Sequence, residues 1–223
     1  MVGVGNTAEV FDYCDGKVCK LFYEGYPKEA AEREFRNAKE VERLGFPVPK
    51  AFELVESEGR TGIVYEKIVG KSMLECILEN PDRVGFYLDE FVRLQKKWLI
   101  EISVQSASVL SYKEYLHMLL NGAGQEAEAS LLEEIDVLPE DNTLLHGDFH
   151  PGNVLISADH RAVVIDFMNA CRGPVLYDIA RTYVLLKEKD EAFGRSYLAK
   201  MEVSEEELLP FYTVIERCRM YER

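Results

Sequence analysis

The spacing of apolar positions changes character along the chain. In the first third, short apolar runs are separated by turn residues. Val10 to Cys14 and Lys17 to Phe22 read as strands joined by Asp15-Gly16, a two-residue hairpin signal. Val18, Lys20 and Phe22 then share one face of the second strand. Pro27 to Leu44 predicts a helix, opened by a proline and stopped by Gly45. Its apolar stripe is Ala31, Phe35, Ala38, Val41 and Leu44, with Glu34 at the border. Phe46-Pro47-Val48-Pro49 is an extended connector. Residues 51–56 and 63–69 form a hairpin around Glu58-Gly59-Arg60, so strand-like pieces and one helix fill residues 1–69.

From Ser72 the apolar period lengthens to three and four, as in helices. Segments 72–79, 84–100, 111–121 and 124–135 carry it, with breaks at Asn80-Pro81 and Gly122-Ala123-Gly124. Ser111 and Glu114 make a capping box. Two brief buried strands, Val154 to Ile156 and Ala162 to Ile165, interrupt the helical stretch. Gly173-Pro174 turns the chain into a helix over Tyr177 to Leu186, and Ser204 with Glu205, Glu206 and Glu207 caps a final one. The pattern predicts an α+β chain, with a small β-rich lobe over 1–69 and a larger, mainly helical lobe over 70–223.

The residues with most chemical content lie at the ends of the two brief strands. His146-Gly147-Asp148-Phe149-His150-Pro151-Gly152-Asn153 leads into the first, and Ile165-Asp166-Phe167 closes the second. Phosphoryl transfer needs one carboxylate to take the proton of an attacking hydroxyl. An amide and a second carboxylate hold the magnesium that bridges the phosphates. Asp148, Asn153 and Asp166 are of those types and in that order. Near the start, Gly3-x-Gly5-x-x-Ala8-x-Val10 is a Gly-rich loop with alanine where a third glycine often stands. Small residues let the backbone approach phosphates, and successive N–H groups can cradle them. The signal is weak alone and gains from the strand that puts Lys20 beneath the loop. A metal hydrolase competes, because His146, Asp148 and His150 alternate as three possible ligands. Such sites need further ligands and a held outer shell, and only His117 and His160 remain, neither in a cluster.

His-Gly-Asp-x-x-x-x-Asn at 146–153, followed by Ile-Asp-Phe at 165–167, resembles the aminoglycoside phosphotransferase family, a branch of the protein-kinase-like superfamily. The likeness extends over nearly the whole chain. It implies a bilobal protein-kinase-like fold that moves the γ-phosphoryl of ATP or GTP to a hydroxyl of a small molecule. It implies Asp148 as catalytic base, with Asn153 and Asp166 as Mg2+ ligands. Gly5, Asn6, Thr7 and Val10 match its nucleotide loop, Lys20 its phosphate-pairing lysine, and Glu34 the glutamate that pairs with that lysine. The Glu66 carbonyl and the Ile68 N–H fall where the hinge meets the purine edge, with Tyr65 behind. Tyr65 and Ile68 read equally well as core residues of an edge strand. Asp178 matches an aspartate that props the catalytic loop through backbone bonds. The chain departs from the family at its start, where only two residues precede Gly3 and the strand leading into the loop is expected to be very short or missing. It departs again at Asn169, where many relatives carry a second aspartate.

Charge and cysteines then narrow the partners. Forty acidic residues against 26 basic ones give a formal charge of −14, which excludes nucleic acid as a partner. It suits a cationic acceptor such as an aminoglycoside or an amino-alcohol. Glu126, Glu128, Glu133, Glu134 and Asp136 concentrate acid just before the catalytic loop, although a solvated helix face accounts for them equally. No apolar run approaches the roughly 20 residues of a membrane span, and the first residues lack the basic and apolar stretches of a signal peptide. Five cysteines without a Cys-x-x-Cys pair fit reduced thiols. The expectation is a cytoplasmic protein whose partners are a nucleotide and a small hydroxylated substrate, with no membrane. Two other classes stay open. One is a pseudokinase-like module that binds nucleotide without turnover. The other is a protein kinase, although 167–177 is short and holds no Ser or Thr, and no Ala-Pro-Glu occurs.

Overall fold

The computed structural model describes residues 2–101, 109–122 and 129–222. Its contacts form two compact units, Met1–Glu79 with Pro151–Met168, and Asn80–His150 with Asn169–Arg223. The hairpin carrying Asn153 and Asp166 thus groups with the N-terminal residues.

The first unit holds a five-stranded antiparallel sheet of β1 (Gly3–Val4), β2 (Ala8–Asp12), β3 (Lys17–Phe22), β4 (Ala51–Ser57) and β5 (Arg60–Glu66), in the order β1-β2-β3-β5-β4. Both expected hairpin turns form with two consecutive left-handed residues, Asp15 (φ 47°) with Gly16 (φ 74°) and Glu58 (φ 51°) with Gly59 (φ 77°). That backbone matches the twist of the strands it joins. The strand leading into the Gly-rich loop is only the two residues of β1, paired at Gly3 with Val10 and at Val4 with Glu9.

Helix α1 (Lys28–Arg43) starts after Pro27 and stops before Gly45, which takes φ 76°. It packs on β4 and β5. Its buried face is Ala31, Glu34, Asn37, Ala38 and Val41, whereas Phe35 and Leu44 are half-buried. The helix is therefore rolled from the purely apolar stripe toward two polar residues.

β5 ends at Glu66, three residues short of the strand expected over 63–69. The Lys67 N–H turns instead to the Gly16 carbonyl at 2.9 Å. The next strand, β6 (Gly70–Ser72), belongs to a different sheet, ordered β6-β8-β9 with β8 (Val154–Ser157) and β9 (Ala162–Val164). A Cβ at Gly70 would lie 2.1 Å from the Ile156 carbonyl oxygen, so only glycine permits this pairing. Helix α2 (Met73–Glu79) follows, with Met73 fully buried.

The second unit is mainly helical. It contains α3 (Val84–Glu101), α4 (Tyr112–Gly122), α5 (Ala129–Val137), α6 (Val175–Lys187), α7 (Glu191–Met201) and α8 (Glu205–Arg219). A two-stranded ribbon joins β7 (Thr143–Leu145) to β10 (Cys171–Gly173). Its core is aromatic: Phe91, Trp98, Tyr112, Phe149, Tyr177, Tyr197 and Phe211 are all buried, each contributing on the order of 1.5–3 kcal/mol of apolar burial. Trp98 also satisfies its indole N–H, which donates to the Leu144 carbonyl at 2.9 Å. The Ser204 and Glu207 capping box forms with both of its reciprocal bonds. Helix α7 occupies a stretch for which the apolar pattern predicts no element. Asp190 caps it by accepting the Phe193 N–H at 3.0 Å, and Tyr197, Leu198 and Met201 bury one side. Among the described residues, no helix is long and apolar enough to cross a membrane.

Candidate active site

Two clusters of polar side chains gather the residues singled out from the sequence, one in each unit. In the first, β3 presents Lys20 toward α1 and toward Asp166, two residues after β9. Its ammonium donates to Glu34 Oε1 at 2.8 Å and Oε2 at 3.0 Å, and to Asp166 Oδ1 at 3.0 Å. The Tyr65 hydroxyl donates to Glu34 Oε1 at 3.1 Å. The Glu34 side chain is 1% exposed, that of Lys20 14% and that of Asp166 31%. Burial works against the Lys20 charge, but Glu34 and Asp166 outweigh it and hold the amine above its ordinary range. Burial pushes the Glu34 carboxyl up, against the pull of Lys20 and the Tyr65 hydroxyl. Glu32, two residues away, turns to Arg36 on the outer side of α1.

Asp166 takes a left-handed backbone, φ 68°, which Asp tolerates better than most residues and which recurs at functional loops. It is framed by α1, because the buried Asn37 amide donates to the Phe167 carbonyl at 3.0 Å. The Ile165 N–H donates to the Asn153 carbonyl at 3.0 Å, one step beyond the Val154 and Val164 pair of the β8–β9 ladder. Asn153 and Asp166 thus leave the same end of that hairpin. One amide and one carboxylate are hard oxygen donors of the kind that suit Mg2+, which takes its remaining ligands from water and phosphate. A closed protein cage is a different matter. Among the described residues, no group of three or more His, Cys, Asp and Glu side chains is arranged to hold a metal ion.

The Gly-rich loop, Gly5 to Thr7, is a tight link between β1 and β2. The Gly5 N–H donates to the Ala8 carbonyl at 2.8 Å, and the Tyr23 hydroxyl to the Gly5 carbonyl at 3.0 Å. Asn6 is exposed, Thr7 half-buried, and Val10 lies on β2 opposite Lys20. Glu66 closes β5 opposite Lys17, and Ile68 lies in the link between β5 and β6.

In the second unit, the segment after β7 is fixed by its backbone. Gly147 takes φ 75°, and a Cβ there would lie 2.3 Å from the Asn169 carbonyl oxygen. Its N–H donates to Asp178 Oδ1 at 2.8 Å, and its carbonyl accepts from Arg181 Nε at 2.7 Å. Asp178 is itself held by Gln95 Nε2 at 3.1 Å, and Gln95 in turn by the Tyr197 hydroxyl at 2.7 Å. Burial pushes the Asp178 carboxyl up, with the Gly147 N–H pulling the other way. His146 is fully buried between the rings of Trp98 and Phe149, and its Nδ1 accepts the Asp148 N–H at 3.2 Å. His146 therefore supports the loop from within, and the three-ligand alternation does not assemble as a hydrolase centre. His150 Nε2 lies 3.7 Å from Asp148 Oδ2.

Sequence reasoning passed over Asn37, Gln95 and Arg181. Their signal was present: each is a polar residue at an otherwise buried position of a helix. The acidic stretch before the loop is engaged elsewhere. Glu134 pairs with Arg217 at 2.6 Å and Asp136 with His117 at 2.8 Å, while Glu133 is exposed. Glu126 and Glu128 lie outside the described residues.

Residues 12–211 match the family model described as the phosphotransferase enzyme family. A homoserine kinase of Pseudomonas aeruginosa is 30% identical over 156 residues, covering 62% of this chain and 48% of that protein. The chain spans about half the length of the curated relatives it matches. The structure of the choline kinase LicA from Streptococcus pneumoniae aligns with a TM-score of 0.66 at 15% identity, over 100% of this chain and 82% of that one. The aminoglycoside phosphotransferase APH(3'')-Id from Streptomyces rimosus, in complex with ADP and streptomycin, aligns with a TM-score of 0.61 at 11% identity, over 91% of this chain and 86% of that one. The fold is thus α+β and protein-kinase-like, with strands dominating the N-terminal region and helices the C-terminal region.

Proposed function

Because the chain belongs to the phosphotransferase enzyme family, we propose that it transfers the γ-phosphoryl group of ATP or GTP to an alcohol of a small molecule. The observation that carries this reading is the ammonium of Lys20, held by the buried Glu34 and by Asp166 within 3.0 Å. A cation that must meet phosphate oxygens is fixed beside a carboxylate of the type that holds magnesium. In this reading Lys20 steadies the phosphates, and Gly5, Asn6, Thr7 and Val10 cover them. The Glu66 carbonyl and Ile68 N–H take the purine edge. Asn153 and Asp166 would hold Mg2+, which when bound neutralises charge on the phosphates. Asp148 orients the acceptor hydroxyl and takes its proton. Catalysis is then mostly positioning and charge neutralisation.

The acceptor is best read as a hydroxylated amine. Homoserine, choline and streptomycin, named for the three relatives, each join an alcohol to a nitrogen that is cationic at neutral pH. A chain of formal charge −14 attracts the net cations among them, choline and streptomycin, whereas homoserine is a zwitterion without net charge. The free cysteines, Cys14, Cys19, Cys76, Cys171 and Cys218, agree with a cytoplasmic setting.

The test is a product assay by mass spectrometry. The chain is incubated with ATP or GTP, Mg2+, and a panel of homoserine, choline, aminoglycosides and neutral sugars. A phosphate ester of a hydroxylated amine is expected, with about 10²–10⁴-fold less from Asp148→Asn at the same exposure. Nucleotide binding without product from any acceptor would replace this reading by that of a binding module.

A further inference from the structure

The polar groups around Gly147 extend past Asp178 to a pair the proposed chemistry does not use. Asp178 and Arg181 are one turn apart on α6, and between them they grip both polar backbone groups of Gly147, its N–H at 2.8 Å and its carbonyl at 2.7 Å. With both groups fixed and no side chain possible at Gly147, the direction in which the chain enters Asp148 is set by α6.

Arg181 is 2% exposed, and the far edge of its guanidinium meets a carboxylate from the segment after α8. Nη1 lies 2.7 Å from Glu222 Oε1, and Nη2 lies 3.0 Å from Oε2. Only the Nη2 contact has hydrogen-bond geometry, and the Nη1 contact is a close ion pair without it. Together they hold one end of the planar group and so orient its Nε donor. Glu222 is held in turn by Arg219 Nη1 at 2.9 Å, and Arg219 grips Glu188 at 2.8 and 2.6 Å. Burial works against the Arg181 charge, and Glu222 outweighs it. The segment after α8 thus reaches the catalytic loop through two side chains.

We propose that Arg181 and Glu222 are positioning residues for Asp148, so that the segment following α8 sets the geometry of the proton-accepting carboxylate. The proposal rests on the role given to Asp148 above. Glu222→Gln keeps the shape of the side chain and removes its charge. With the full chain, kcat is expected to fall about 10- to 100-fold, the scale of a misplaced reacting group, with the nucleotide KM unchanged. Amide hydrogen exchange over 144–153 should quicken. Glu222→Asp should restore part of both. Glu191→Gln removes only an exposed pair with Arg195 on α7, outside this network, and should match the parent. Arg181→Lys keeps a cation beside Glu222 but loses the planar Nε donor, and should reproduce the loss of kcat even if Glu222→Gln does not fold. Unchanged exchange over 144–153 in Glu222→Gln overturns the proposal, as does a kcat equal to the parent's. If the parent chain turns over no acceptor, the role of Asp148 falls with the proposed function, while the exchange result still decides whether Glu222 holds the loop.

Discussion

Lys20 and Arg181 are both cations held by carboxylates, one in each compact unit, and they are held to different ends. Lys20 keeps some exposure, and its three donors meet Glu34 and Asp166 through a flexible stem. An incoming phosphate can take a share of those donors without undoing the pair with the buried Glu34. Arg181 is sealed, and its planar fork divides between a backbone carbonyl and Glu222. Its Nε contact cannot be exchanged without freeing the Gly147 carbonyl. A lysine therefore stands where partners are expected to change, and an arginine where geometry must be kept. Removing either cation leaves a carboxylate short of its partner, but only the first loss is expected to be felt as lost ligand binding.

The largest effect that separates the two clusters should come from Asp148, which follows the Gly147 backbone that Asp178 and Arg181 hold. Asp148→Asn is expected to lower turnover about 10²–10⁴-fold, the range for loss of a positioned base, while nucleotide affinity stays. Steady-state kinetics with a titration of nucleotide binding reads both. Intact turnover would remove the proton-accepting role and leave the loop as scaffold.

How far each cluster was legible follows from how its contacts are made. The turns at Asp15-Gly16 and Glu58-Gly59 and the limits of α1 at Pro27 and Gly45 are local, and each depends on one or two residues of special backbone freedom. The loop at 146–153 is likewise contiguous. Arg181 meets Glu222 across 41 positions, and Gln95 meets Tyr197 across 102. No periodicity in a single helix announces such a pair. The three-residue strands β6 and β10 escaped for the same reason, since each is defined only by a distant partner, β8 for one and β7 for the other. Helix α7 escaped because its buried side is short and holds Gly194, which packs against the Lys187 backbone. Polar residues inside buried helix faces were the signal left unread.

Ligand linkage should sharpen the contrast next. ATP or GTP with Mg2+, at a hundredfold excess over the dissociation constant, is expected to stabilise the chain by about 2.7 kcal/mol, seen as a raised Tm. Lys20→Met and Asp166→Ala should each abolish most of that shift, and withdrawing Mg2+ should reduce it. Arg181→Lys should preserve it. A shift that survives in Lys20→Met would mean that the nucleotide does not use this lysine.

A smaller effect belongs to the backbone of the loop. Gly147→Ala forces a left-handed alanine and sets its Cβ against the Asn169 carbonyl, 2.3 Å away before relaxation. A cost of about 1–3 kcal/mol is expected from strain of this kind, measured by urea denaturation. Gly16→Ala carries the same φ penalty at a turn with nothing within 4 Å of the added Cβ, so the excess at Gly147 reports the close approach alone. Equal losses at both sites would show that the Asn169 segment yields and that the clamp is softer than its distances suggest.

The smallest effect tests whether either cluster extends to the acidic stretch. Glu134 pairs with Arg217 at 2.6 Å and Asp136 with His117 at 2.8 Å, both on partly or fully exposed side chains. Pairs of that kind contribute about 0–1 kcal/mol, and salt screens them. A carboxylate already engaged by a cation of its own chain also offers less to a cationic acceptor. Glu134→Gln is therefore expected to change stability by less than about 1 kcal/mol and to leave the acceptor KM unchanged. The measurement compares KM for a hydroxylated amine and for a neutral sugar at two ionic strengths, in the parent and the variant. If KM for the amine alone rises in Glu134→Gln, and the rise shrinks at high salt, α5 contributes to acceptor recognition and its ion pair with Arg217 opens to do so. If nothing moves, the attraction for amines arises from the charge of the whole chain, and recognition lies with residues nearer Asp148.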